Sequence, residues 1–77
     1  MAQTSQNLVG GRVKEARVKA QLTQVELSKK LAQLGVSIDR AGVAKIETGI
    51  RGVLDFEIVA IAKALDLKVT WLLNVKE

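Results

Sequence analysis

Leu22-Thr23-Gln24-Val25-Glu26-Leu27 and, after Gly35, the run Val36-Ser37-Ile38-Asp39-Arg40-Ala41-Gly42-Val43-Ala44-Lys45-Ile46-Glu47-Thr48-Gly49 decide how this 77-residue chain is read. Thr23 and Glu26 have the spacing of a capping box, in which the hydroxyl accepts from the amide of residue 26 and the carboxylate accepts from the amide of residue 23. Leu27, Leu31 and Leu34 follow at helical spacing, and Gly35 offers the left-handed residue that ends a helix. Asp39 predicts a second N-cap, Val43 and Ile46 a second inner face, and Gly49 a second stop.

Working outward, Val9, Val13, Ala16 and Ala20 share one face of a first helix, predicted over Leu8–Ala20 with Asn7 as its cap. Arg12, Lys14 and Lys19 point elsewhere on that helix. Thr48–Val53 reads as a loop. Asp55–Leu65 is nearly all apolar and is expected to be the central buried helix. A short fifth helix, Thr70–Leu73, is expected to be capped by Thr70. Strand-like alternation, repeats and proline are absent from the sequence. The fold class is therefore all-α, a compact five-helix domain over residues 8–77 behind a flexible polar segment, residues 1–7.

The charge is uneven. Residues 1–51 hold nine Lys/Arg against four Asp/Glu, a net +5, while residues 52–77 hold three against four, a net −1. A basic surface confined to the first two-thirds suits a polyanion. The chain has no His and no Cys, so the usual general bases and nucleophiles are missing and disulfides are impossible. An enzyme is not expected, nor is any cofactor or metal. No apolar run reaches the roughly 20 residues of a membrane span, and no secretory leader pattern opens the chain. These features point to a cytoplasmic protein.

Two helices joined by a tight Gly-led connection, the second short, basic and small-residued outside, form a helix-turn-helix whose second helix enters the DNA major groove. The residues add more. Arg12-Val13-Lys14-Glu15-Ala16-Arg17, the two stretches quoted above and Ile61-Ala62-Lys63-Ala64-Leu65 resemble the lambda repressor/Cro-type (XRE) helix-turn-helix family of bacterial and phage regulators. The resemblance covers about Val9 to Leu73. Between Leu31 and Val43 the chain has several more residues than the commonest pattern, as in a long-turn variant of that family.

The resemblance implies a sequence-specific transcriptional regulator, typically a repressor, that binds double-stranded DNA as a homodimer. Its base-reading positions would be Arg40, Ala41, Ala44 and Lys45, with Arg40 suited to guanine O6 and N7 and Ala41 to a thymine methyl. Gln24, Thr48 and Arg51 would meet phosphates and fix register. Arg17 and Glu47 match a structural ion pair between the first and third helices. Phe56, Leu72, Leu73 and Val75 are candidates for a dimer seam. Gly42 is open to two readings, close approach of the backbone to DNA or to the second helix, or a tolerated weak spot. The alternative function is a protein-interaction module or antitoxin on the same fold. Single-stranded RNA is disfavoured, because one Trp and one Phe give few stacking platforms.

Overall fold

The computed structural model describes residues 8–75; the polar start and Asn7 lie outside the described residues. Five helices follow one another: α1 (Gly10–Lys19), α2 (Gln24–Gln33), α3 (Arg40–Glu47), α4 (Asp55–Ala64) and α5 (Val69–Leu73). No strand occurs among the described residues.

The α2 boundaries follow from local chemistry. Thr23 Oγ1 accepts from the Glu26 amide at 3.0 Å, and Glu26 accepts from the Thr23 amide at 2.8 Å. At the other end Gly35 sits at φ +83°. Its amide donates to Ala32 O and that of Val36 to Leu31 O, closing a Schellman motif. The same motif ends α3, with Gly49 at φ +82° and the Ile50 amide on Lys45 O.

The longer connection between α2 and α3 is part of the core. Val36 and Ile38 turn inward and are buried, while Ser37 faces out. Ser28 on α2 donates its hydroxyl to Ile38 O at 2.6 Å. Asp39 then caps α3 by accepting from the Gly42 amide at 2.7 Å. Val43 and Ile46 point inward beside Leu27, Leu31 and Ile61, so α3 packs on both α1 and α2. Roughly 2 kcal/mol accompanies each such fully buried aliphatic side chain.

Four expectations need correction. α1 starts at Gly10, later than read, and its last expected core residue, Ala20, is exposed in the C-cap position. Leu34 leaves the core face of α2 because it is the C-cap there, and it is 45% exposed. α4 is not buried all round: Ala60, Ile61 and Ala62 face the core, but Phe56 and Val59 face solvent. Apolar composition cannot surround a helix with partners in a molecule only 22 Å across its shortest axis. Finally, α5 begins at Val69 with Lys68 in the cap position, so Thr70 lies inside the helix and not at its cap.

α5 is held from α1. The Arg12 guanidinium lies 4.6 Å over the Trp71 ring. It also donates to Trp71 O at 3.1 Å and to Asn74 Oδ1 at 2.9 Å. A cation over an indole face combined with two hydrogen bonds fastens a helix too short to persist alone.

Candidate nucleic-acid interface

Along α3, residues 40, 41, 44 and 45 fall within an arc of about 140°, on the side away from the buried Val43 and Ile46. Arg40, Ala41 and Lys45 are exposed and Ala44 is half-buried. All four expected base-reading positions thus share one face, presented by a helix whose other side is locked in the core. No pairing between either cation and a neighbouring carboxylate is formed there among the described residues.

Gly42 sits between these positions for a reason internal to the fold. A Cβ there would lie 2.8 Å from Ile38 Cγ2 and 3.2 Å from Asp39 Oδ1. Ile38 is buried and branched, so its methyl has nowhere to move. The glycine lets the end of the long turn close over the first turn of α3. Neither reading stands as made: the atoms that crowd this position belong to the turn and the cap, not to α2, and a side chain there would collide.

The orientation of α3 is fixed at its far end. Arg17 Nε meets Glu47 Oε2 at 2.6 Å and Arg17 Nη2 meets Oε1 at 3.1 Å, with the side chains 12% and 2% exposed. Arg17 also donates to Leu22 O at 2.7 Å. The expected pair between α1 and α3 is therefore present and bidentate, which suits an almost fully buried carboxylate. Gln24 joins it, donating from Nε2 to Glu47 Oε1 at 3.1 Å. A primary amide carries a second hydrogen, so this contact aims Gln24 without exhausting it.

The other two expected phosphate contacts are engaged inside the chain. The Thr48 hydroxyl is directed at Ala44 O, 3.1 Å away, and at Lys45 O, 3.2 Å away. Arg51 forms a second bidentate pair, Nη1 to Glu57 Oε1 at 2.9 Å and Nη2 to Oε2 at 2.8 Å, and donates to Gly52 O. Glu57 Oε1 also accepts the Leu54 amide at 2.9 Å, so one carboxylate caps α4 and clamps the loop that leaves α3. The Arg51 guanidinium, aided by that amide and opposed by burial, holds the Glu57 carboxyl below the usual carboxylate range.

Among the seam candidates, Phe56 and Val75 are exposed and Leu73 is half-buried. Leu72 is fully buried within its own chain and cannot reach a partner. Sequence reasoning missed Ser28, Glu57 and the Arg12 contacts. Glu57 had a readable signal, an acidic side chain at the third position of α4. Ser28 and Arg12 had none, because their partners are backbone atoms and residues far along the chain. The described residues contain no cluster of three or more His, Cys, Asp or Glu able to hold a metal ion. No described helix is long and apolar enough to cross a membrane.

Two packed helices joined by a buried turn, with the second presenting a basic, small-residued face, define a helix-turn-helix DNA-binding domain. A helix-turn-helix family model matches residues 13–72, and the chain belongs to that family, in its lambda-repressor-type form. Among solved structures it is similar to the restriction-modification controller protein C.AhdI from Aeromonas hydrophila. The TM-score is 0.72 at 34% identity, over 84% of this chain and 90% of that one. It is also similar to the P22 c2 repressor protein, solved in complex with a synthetic operator. There the TM-score is 0.73 at 26% identity, over 91% of this chain and 98% of that one. No curated protein matches the chain.

Proposed function

We propose that this chain is a sequence-specific double-stranded DNA-binding transcriptional regulator, a repressor acting as a homodimer, with α3 in the major groove. The observation that carries the reading is the shared exposed face of Arg40, Ala41, Ala44 and Lys45 on a helix held at both ends. Arg40 donates two hydrogen bonds to one guanine, and Ala41 packs its methyl on a thymine methyl. Lys45, more than a turn further on, meets a neighbouring base pair. Gln24 and the first amides of α2 meet a phosphate. Thr48 does so when its hydroxyl leaves its own carbonyls. Arg51 shapes the loop through Glu57 and is not counted among the phosphate contacts. Similarity to a controller protein and to an operator-bound repressor supports this reading.

Titration of duplex DNA over a range of salt tests it. Affinity should fall steeply with salt, and Arg40→Ala should cost about 1–3 kcal/mol on the preferred duplex and much less on an unrelated one. Equal losses on both duplexes would remove Arg40 from base recognition.

A further inference from the structure

One face of α4 has no role in the core or in the DNA-reading face. Asp55, Phe56, Val59 and Lys63 fall within an arc of about 100°. Phe56 is 57% exposed and Val59 44%. Asp55 and Lys63 are exposed at the two ends of the stripe. Beside it runs a shallow groove of about 220 Å³, lined by Leu34, Val36, Phe56, Val59, Ala60 and Lys63.

We propose that this stripe docks a second copy of the chain, α4 against α4 in antiparallel register, with the two-fold axis at Val59. The inference rests on the homodimer reading above and supplies its seam. The charges argue for a copy of the same chain as occupant. Asp55 and Lys63 lie about 12 Å apart along one helix, too far to pair with each other. Neither forms an ion pair with another described residue. A two-fold axis at Val59, midway between them, places each opposite its complement in the other copy, and does so twice. The shape argues likewise. Phe56 projects beside a groove walled by Leu34 and Val36, and in a two-fold contact the projecting ring of each copy meets the groove of the other. The stripe is apolar in its middle and charged at its ends, as the core and rim of an interface are. A nucleic acid does not suit it, since its centre is apolar and Asp55 repels phosphate.

Sedimentation equilibrium of the full chain over a concentration series tests the proposal, with thermal melting to verify that each variant is folded. The wild type should dimerise. Val59→Glu sets two carboxylates at the axis and should leave monomers. Asp55→Lys and Lys63→Asp should each weaken self-association about tenfold or more, and the two together should restore it. If these charges acted only on the ends of their own helix, the double variant would be the worst of the three. A monomeric wild type, a dimer indifferent to Val59→Glu, or a double variant without recovery would each overturn the docking. The two readings fail separately. A monomer that still selects a DNA sequence ends the docking and the homodimer with it but leaves the DNA-reading regulator, and a charge-responsive dimer with no DNA preference ends the regulator reading alone.

Discussion

Gly42 and Arg51 show how a single side chain, or its lack, is set by its neighbours. Alanine is the better helix former by about 1 kcal/mol, so on propensity alone Gly42→Ala would stabilise α3. Against that stands a Cβ 2.8 Å from a buried Ile38 methyl. Overpacking of this kind costs about 1–3 kcal/mol, and the collision wins. Gly42→Ala should therefore lower the melting temperature by several degrees, and an increase would mean that the turn yields freely. Arg51→Gln and Glu57→Gln should each destabilise by about 1–3 kcal/mol, and the double variant by much less than the sum. Additive losses in thermal melts would show that the clamp is not one unit. The outward face of α3 was legible in the sequence, because Asp39 marks the helix start and Val43 and Ile46 mark its inner side, leaving Arg40, Ala41 and Lys45 outside. The engagement of Arg51 was not, because a loop arginine after such a helix looks the same whether it faces a phosphate or a glutamate six residues on.

At the scale of the elements, what the sequence states locally is what the structure reproduces. The capping box at Thr23, the Asp39 cap and the stops at Gly35 and Gly49 all stand where their residues predict. Each depends on groups within a few residues, so no knowledge of packing is needed. The errors fall where packing decides. α4 looked central because it is apolar on all sides, yet only one side finds partners. α5 was given Thr70 as its cap, but its start is set by the Lys68 backbone and its end by Arg12 reaching across from α1. Thr23→Ala should remove the hydroxyl half of the capping box, leaving the amide of residue 23 on Glu26, and cost about 1 kcal/mol, read as a lower midpoint in urea. Gly35→Ala, at φ +83°, should cost at least as much. If either variant leaves the midpoint unchanged, the terminus of α2 is not held as described.

Across the whole molecule, two bidentate pairs hold α3 and its loop against the core, and one of them makes stability depend on pH. Because folding lowers the Glu57 carboxyl below its ordinary value, the pair contributes fully above that value. Its contribution is lost as pH falls through the lowered, folded-state value. The gap in melting temperature between wild type and Glu57→Gln should be widest near neutrality and narrow on acidification from about pH 5 downward. A gap of constant width would mean that Glu57 acts through its shape alone. The central claim, however, is that α3 reads base pairs. Selection from a random duplex library at about physiological salt, run in parallel for wild type and Arg40→Ala, tests it most directly. The wild type should enrich an inverted repeat, and the variant should lose preference at one symmetric pair of positions while keeping the rest. No enriched sequence from a folded wild type, or identical sequences from both proteins, would contradict it.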